Sequence, residues 1–121
     1  MVFLDTYAIM EVDKGNPAYK EYSLKPIDAM TTIFNLIDVY FIYLKRFGET
    51  EADRIYENVK PMVMAIDDFI VKEAMKFKLK YPKKRYSIAD CIGYLTALKY
   101  GAKFLTGDYA FKGLENVEFV A

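Results

Sequence analysis

The chain has 121 residues, enough for one domain with a hydrophobic core, so residues 1–121 are taken as a single domain. Its 17 Lys and Arg residues balance 17 Asp and Glu residues, and this zero net charge gives no general basic surface for nucleic acid. The absence of histidine excludes Ser-His-Asp and Cys-His catalysis and His-containing zinc sites. The single cysteine, Cys91, excludes an internal disulfide and is expected to be a small core residue.

No targeting segment is predicted. Asp5 lies among the first residues, and no basic-then-apolar leader precedes it. The most apolar stretch, residues 33–44, is interrupted by Asn35 and Asp38 and is much shorter than a membrane span. We therefore expect a soluble protein in the reducing cytoplasm.

Apolar runs bounded by turn residues and caps predict the elements of the first half of the chain. Thr32 is a residue type that favours a helix N-cap, and Gly48 one that favours a helix end. The predicted elements are a strand over Val2–Leu4, a helix that ends before Gly15-Asn16-Pro17, mixed helix and loop over residues 18–28, a helix from Thr32 to Phe47, and a helix over Glu51–Val59.

The second half continues the alternation of strands and helices. The predicted elements are a strand over Met62–Ile66, a helix over Asp68–Lys80 capped by Asp67, a loop from Tyr81 to Lys84, a helix opened by Ser87 and closed by Gly101, a strand over Ala102–Leu105, a loop over Thr106–Asp108, and a strand over Val117–Val120. This alternation predicts an α/β fold with a central, mainly parallel sheet flanked by helices.

The positions of four carboxylates in the predicted strands and helices suggest a functional site. Asp5 and Asp108 follow two predicted strands, and ligands of parallel sheets bind at the carboxyl ends of the strands. Asp38 lies inside an apolar helix, and Asp90 lies in the first turn of the helix that Ser87 opens. Four clustered carboxylates repel one another unless a cation is shared, and an oxygen-only site selects Mg²⁺ or Mn²⁺. Such a site is suited to phosphodiester hydrolysis by a metal-activated water.

Each acid also has a purely structural interpretation. Asp90 completes a capping box with Ser87, and Asp5 can cap the helix that follows it. Asp108 can stabilise a turn, and Asp38 shares a helical stripe with Asn35 and Lys45 that is suited to solvent. The pair Asp67-Asp68 is interpreted as a cap and a solvated face. The metal-site hypothesis therefore depends on the set of four acids and on no single member.

Three sequence blocks resemble one known family. The opening V-F-L-D-T, the block S-I-A-D-C-I-G-Y-L-T-A-L-K-Y-G-A-K-F-L-T-G-D and the ending F-K-G-L-E-N-V-E-F-V are similar to PIN-domain nucleases, most closely to the VapC-type toxin ribonucleases of prokaryotic type II toxin–antitoxin systems. The resemblance implies a three-layer PIN-like fold and cleavage of RNA at an acidic site that depends on Mg²⁺ or Mn²⁺. It also implies a cognate antitoxin protein as a partner, and we expect the chain to form a homodimer.

The resemblance assigns site residues position by position. Asp5 corresponds to the first acid of the family, Asp90 to the third and Asp108 to the fourth, and Thr106 corresponds to a hydroxyl that helps to hold the site. The second acid is usually Glu, whereas N-L-I-D-V here places Asp38 at that position, with a side chain one methylene shorter.

Tyr7 is a second departure from the family pattern, because a small or amide residue commonly follows the D-T pair. Its bulk is expected to narrow access for the substrate. The two departures bear on rate and specificity more than on the fold.

The charge is distributed unevenly along the chain. Residues 72–85 contain seven basic residues and one acid, so this segment carries +6 and the remainder −6. Lys83, Lys84, Arg85 and Tyr86 are candidate RNA-binding residues, with Tyr81 and Tyr86 available to stack on unpaired bases. The alternative is a solvated helix end, since cations favour a helix C-terminus.

The helix from Thr32 to Phe47 carries more apolar residues than one buried stripe needs. Tyr40, Phe41, Ile42, Tyr43 and Leu44 are consecutive, which indicates either an exposed face for a second copy or an antitoxin peptide, or burial under neighbouring helices.

Two functions remain open at this point. The first is a metal-dependent endoribonuclease, as the toxin of a toxin–antitoxin pair or as an RNA-processing enzyme. The second is a non-catalytic or weakly active PIN-like module that binds RNA or a protein partner. A phosphoacceptor receiver domain and a haloacid-type phosphatase are disfavoured, because Asp5 is followed by Thr6 and Tyr7 instead of the acidic pairings those classes need.

Overall fold

The computed structural model describes residues 1–121 and contains a four-stranded sheet in which every strand pair is parallel. The strands are β1 (Val2–Leu4), β2 (Ala29–Met30), β3 (Lys103–Thr106) and β4 (Val117–Phe119), in the order β2-β1-β3-β4. Leu4 of β1 is in register with Leu105 of β3, so these two central strands end side by side. The prediction of a mainly parallel sheet is confirmed.

Five helices cover the two faces of the sheet. They are α1 (Thr6–Asp13), α2 (Ile33–Phe47), α3 (Glu49–Val59), α4 (Asp68–Lys80) and α5 (Ile88–Tyr100), with short 3₁₀ turns over Pro17–Tyr19, Lys60–Met62, Pro82–Lys84 and Tyr109–Phe111. Because successive strand residues point to opposite faces, Leu4 and Leu105 enter the core against α1, α2 and α3, whereas Phe3 and Phe104 enter the core against α4 and α5. The result is a three-layer α/β arrangement.

One predicted element is wrong, one strand is not among the predicted elements, and several bounds shift. Met62–Ile66 is not a strand: only Val63 forms an isolated bridge, to Thr31, after the 3₁₀ turn that contains Pro61. The sheet instead gains β2, which follows the mixed segment predicted over residues 18–28. The smaller shifts are α3 starting at Glu49, a 3₁₀ turn within the predicted loop from Tyr81 to Lys84, β3 ending at Thr106, and β4 ending at Phe119.

The predicted caps of the long helices are confirmed. The Thr32, Asp67 and Ser87 side chains accept backbone hydrogen bonds at the N-termini of α2, α4 and α5, respectively. Gly48 and Gly101 end α2 and α5 with φ of 89° and 69°, a backbone conformation that glycine adopts without steric cost. These caps fix the residues at which the helices that carry Asp38 and Asp90 begin and end.

Helix α5 packs closely on the centre of the sheet. A Cβ atom placed on Gly93 would lie 3.0 Å from the Phe3 ring, so a larger residue there would push the helix away from β1. Gly93 is one turn after Asp90, and this close approach therefore sets the height of Asp90 above the sheet. Cys91 is fully buried beside it, as predicted.

An aromatic cluster on the α4–α5 side contains Tyr86. The Tyr86 ring stacks against Phe77 and Phe111 with centroid distances of 5.4 and 4.5 Å, and only 2% of the residue is exposed. Its hydroxyl donates to the Ala110 carbonyl. The structure therefore contradicts the predicted stacking of Tyr86 on RNA bases, because both the ring and the hydroxyl are used inside the fold.

Some of the many apolar residues of α2 are buried in the core, and others are exposed on the surface. Tyr43 is buried and donates its hydroxyl hydrogen bond to Asp13. Ile37, Phe41 and Leu44 instead form an exposed stripe along the helix, called here the α2 stripe, with Phe41 61% exposed. Each of the two alternatives is therefore correct for part of the segment: Tyr43 is buried, and Phe41 and Leu44 are exposed. None of the five helices has the length and apolar character needed to cross a membrane.

Candidate active site

Asp5 lies at the junction of β1 and α1, where the register of the sheet holds it firmly. One carboxylate oxygen accepts a hydrogen bond of 2.8 Å from the Ala8 backbone N–H, which caps α1. The other accepts the hydroxyl hydrogen of Thr106, the last residue of the neighbouring strand β3. The Asp5 residue is 5% exposed, so its carboxyl group is largely removed from bulk water.

The ionisation of Asp5 is strongly perturbed. Burial is the main cause that raises the pKa of Asp5 to about 7; the hydrogen bonds from Thr106 and Ala8 oppose this rise, and the charges of Asp90 and Asp108 add to it. The predicted capping role of Asp5 is therefore real but incomplete. Capping alone does not require a second oxygen to be buried next to other carboxylates.

Asp90 is held at the start of α5 by a capping box. The Ser87 N–H donates to Asp90 Oδ2 at 2.8 Å, and the Asp90 N–H donates to Ser87 Oγ at 3.0 Å. This exchange leaves Oδ1 of Asp90 without a protein partner. Burial raises the pKa of Asp90, and the charge of Asp108 adds to this effect against opposing hydrogen bonds from Ser87 and the charge of Lys78.

Thr106 connects the two strand ends. Its side chain is fully buried, and its hydroxyl donates to Asp5 while accepting the Asp108 N–H at 3.0 Å. Asp108 is exposed, and its Oδ1 accepts the Ala110 N–H at 2.9 Å. The turn interpretation of Asp108 is thus correct for one oxygen, while the loop places the same carboxylate in the electrostatic neighbourhood of Asp5 and Asp90.

Asp38 approaches this group from α2. The residue is exposed, and partial desolvation raises its pKa, with the charge of Asp90 adding to the rise. One turn earlier, the buried Asn35 donates to the Thr6 hydroxyl at 3.2 Å, which ties α2 to the start of α1. Asp38, the second acid of the family pattern, is therefore coupled to the others through Asp90.

The four acids are coupled electrostatically, but their side chains do not converge into a preformed metal site. No three Asp, Glu or Cys side chains of the chain converge closely enough to make a ready metal site. None of the five ion pairs in the structure involves Asp5, Asp38, Asp90 or Asp108. Asp67, by contrast, caps α4 and pairs with Lys99, in agreement with its structural interpretation.

The donor set is compatible with a hard divalent cation. Every available ligand is a carboxylate or hydroxyl oxygen, which suits Mg²⁺ or Mn²⁺ bound partly through water. Burial raises the pKa values of Asp5 and Asp90, the charges of neighbouring acids add to the rise, and neither carboxylate has a basic ion-pair partner within the protein. A divalent cation would supply the missing compensation.

Tyr7 packs against the loop that carries Asp108. A Cβ atom placed on Gly107 would lie 2.2 Å from Cε1 of Tyr7, so the absence of a side chain at Gly107 makes room for the tyrosine ring. On its other side the ring lies 6.3 Å from the Tyr19 ring, centroid to centroid. The bulk of Tyr7 thus supports the Thr106–Asp108 loop as well as occupying space beside the acids.

We expect Gly107→Ala to destabilise the fold by about 1–3 kcal/mol, because the new methyl group would overlap the Tyr7 ring. Tyr7→Ala removes that ring, so the double variant should be more stable than the sum of the two single effects predicts, with a coupling of about 1 kcal/mol. Urea unfolding of the four proteins measures this cycle. Strict additivity would contradict the contact.

A basic surface adjoins the N-terminus of α5. Lys83, Lys84 and Arg85 are exposed in and just after the 3₁₀ turn that precedes Ser87. Arg85 has a φ of 56°, a left-handed conformation that turns the chain into the capping box of Asp90. Lys78 is directed inward and donates to the Tyr86 carbonyl. The three exposed cations therefore lie within a few residues of the third acid.

The fold and the acids define an α/β domain with a carboxylate site at the carboxyl ends of its central strands. A family model for the PIN domain matches residues 2–117, and the chain therefore belongs to the PIN domain family.

Two solved structures have a similar fold, although the sequences differ widely. A toxin–antitoxin complex from Klebsiella pneumoniae contains a chain with a TM-score of 0.76 and 14% identity, over 98% of this chain and 96% of that one. The Mycobacterium tuberculosis toxin VapC20, described as cleaving the sarcin-ricin loop, has a TM-score of 0.74 and 18% identity, over 97% of this chain and 98% of its own. No curated protein matches the sequence.

Proposed function

We propose that this chain is a Mg²⁺- or Mn²⁺-dependent endoribonuclease that hydrolyses phosphodiester bonds in single-stranded RNA. The observation that carries the proposal is the uncompensated group of Asp5, Asp38, Asp90 and Asp108 at the end of the central strands of a PIN domain. The structural similarity to VapC20, a toxin that cleaves the sarcin-ricin loop, supports RNA as the substrate.

The residues of the chain hold and orient the reacting groups in this proposal. Ala8 and Thr106 fix the Asp5 carboxylate, and Ser87 fixes one oxygen of Asp90, leaving Oδ1 without a protein partner. A bound divalent cation would neutralise charge on the phosphate and lower the pKa of a water molecule. No side-chain nucleophile is then needed, in agreement with the absence of histidine and the burial of Cys91.

Lys83, Lys84 and Arg85 are proposed to bind the RNA backbone. They are exposed, lie beside the helix start that holds Asp90, and make no ion pair with another residue of the chain. Phosphate contacts of this kind position a strand without reading its sequence. Tyr86 is excluded from this surface because it is buried.

The toxin role and its partners are part of the same proposal. The α2 stripe is an apolar surface suited to a protein partner, and the similarity to a chain of the Klebsiella toxin–antitoxin complex supports a cognate antitoxin. A homodimer would use a second copy of this chain on the same or another face. The free, buried Cys91 is compatible with the reducing cytoplasm, where we place the protein.

The purified chain should cut single-stranded RNA in Mg²⁺ or Mn²⁺, and excess EDTA should stop the reaction. Labelled RNA separated on a denaturing gel gives the readout, with circular dichroism to confirm that EDTA leaves the fold intact. A folded protein that cuts no RNA with either metal would favour the alternative, a non-catalytic or weakly active PIN-like module that binds RNA or a protein partner through the α2 stripe.

The toxin role has its own test. Induced expression in a matched host should arrest growth, and a small open reading frame adjacent to the gene should relieve the arrest. Cleavage in vitro without growth arrest would favour an RNA-processing role.

A further inference from the structure

Tyr109 is the most exposed tyrosine of the chain. Only two of the eleven tyrosines are exposed, Tyr100 at 40% and Tyr109 at 67%. Tyr109 is also the residue that directly follows Asp108. The most exposed tyrosine ring of the chain therefore adjoins the fourth acid.

The Tyr109 ring belongs to a small surface cluster. The Phe119 ring of the edge strand β4 lies 4.9 Å from it, centroid to centroid, at an interplanar angle of 58°. The ammonium group of Lys112 lies 5.6 Å from the Tyr109 centroid and 5.1 Å from the Phe119 centroid. The cluster thus combines two aromatic rings, tilted against each other, with a positive charge.

The backbone turn that carries Tyr109 is anchored to the core directly after Asp108. Tyr109 opens a 3₁₀ turn in which the Phe111 N–H donates to the Asp108 carbonyl at 3.0 Å. Phe111 is fully buried in the aromatic cluster, and the Ala110 carbonyl accepts the Tyr86 hydroxyl hydrogen bond. One side of the turn is therefore anchored in the core, and the other presents Tyr109 to solvent.

We propose that Tyr109 stacks on an unpaired base of the RNA strand, at a nucleotide next to the scissile phosphate at the acidic site; this inference rests on the proposed ribonuclease function. Every nucleobase has a flat π face, so an exposed aromatic ring beside a cation binds a single strand without sequence readout. Tyr109 directly follows Asp108 in the chain, so a molecule that stacks on its ring lies next to the acidic site. This position favours the RNA substrate over a protein partner. Tyr109 thereby takes the stacking role for which Tyr86 is too deeply buried.

Binding to an unstructured, fluorescein-labelled oligouridine tests the proposal, with anisotropy as the readout. All variants carry Asp90→Asn so that the strand is not cut. Adding Tyr109→Ala should weaken binding by about tenfold, whereas Tyr109→Phe, which keeps the ring, should bind like the parent. On an abasic strand of the same length, Tyr109→Ala and the parent should bind alike, because the phosphates are unchanged and no base is present.

Phe69→Ala is the matched control. Phe69 is 61% exposed and also lies under a lysine, Lys99, at 5.9 Å, but that lysine is at the opposite end of α5 from Asp90. This variant should bind oligouridine like the parent.

Three outcomes would overturn the stacking inference. The first is equal binding by Tyr109→Ala and the parent while the wild type still cuts RNA, and the second is an equal loss on the abasic strand. The third is unchanged RNA binding together with loss of self-association, which would assign Tyr109 to a protein interface. If the wild type neither binds oligouridine nor cuts any RNA, the proposed function fails as well.

Discussion

Replacing Asp90 with Asn should reduce RNA cleavage by roughly a hundredfold or more while leaving the fold intact. The capping box uses Oδ2 of Asp90, and an asparagine side-chain oxygen can accept the same Ser87 N–H hydrogen bond. The second oxygen, which has no protein partner, would become an amide nitrogen that cannot bind a cation. Initial rates in Mn²⁺ together with the thermal midpoint separate a loss of activity from a loss of fold.

Asp68→Asn provides the matched comparison for Asp90→Asn. Asp68 also lies in the first turn of a helix, α4, but it belongs to none of the couplings among the four acids. Cleavage by this variant should equal that of the wild type. Equal rates for Asp90→Asn and the wild type would remove Asp90 from the catalytic site.

Without metal, the wild type should lose stability relative to Asp5→Asn as the pH rises from about 4 to about 8. The pKa of Asp5 is about 7 in the folded protein against 3.8 for an ordinary Asp, so the folded state binds more protons between these values. The free energy of unfolding of the wild type therefore falls through this window and levels off above it. A shift of about three pKa units corresponds to roughly 4 kcal/mol at most.

Urea unfolding in EDTA at several pH values measures this difference for the two proteins. Taking the difference cancels the titrating groups that do not interact with Asp5; Asp90 and Asp108, which do interact with it, contribute smaller effects than its burial. A difference that does not change with pH would show that Asp5 is not buried as a carboxyl group among other acids.

Much of the fold could be predicted because helix ends are specified by single residues that act on the backbone next to them. Thr32, Asp67, Ser87, Gly48 and Gly101 each specify a helix end through their own side chain or backbone freedom, and the structure agrees at every one. Strand β2 could not be found in this way, because two residues, Ala29 and Met30, have no periodicity to detect. Met62–Ile66 has strand-like composition, yet only Val63 reaches a partner, at Thr31.

The acids of the candidate site could be singled out because strand ends and helix starts bring them together. Asp5 and Thr106 follow from the register of β1 and β3, which aligns Leu4 with Leu105. The burial of Tyr86 and the exposure of Tyr109 could not be predicted, since both aromatic residues lie in polar, loop-like sequence. Their difference depends on how the segments around Phe111 and Phe77 pack in three dimensions.

The contact between Tyr7 and Gly107 also could not be predicted from the sequence. The two residues are 100 positions apart, and neither indicates the other in the sequence. In the structure the glycine makes room for the tyrosine ring, so the residue that departs from the family pattern becomes a support for the loop of Asp108.

Direct measurement of Mn²⁺ binding tests the central claim, that the four acids hold a divalent cation. Electron paramagnetic resonance of free Mn²⁺ in a titration needs no RNA and no catalytic turnover. We expect saturable binding to the wild type, weaker binding for each of Asp5→Asn, Asp38→Asn, Asp90→Asn and Asp108→Asn, and unchanged binding for Asp68→Asn. No saturable binding, or binding that survives all four substitutions, would contradict this claim.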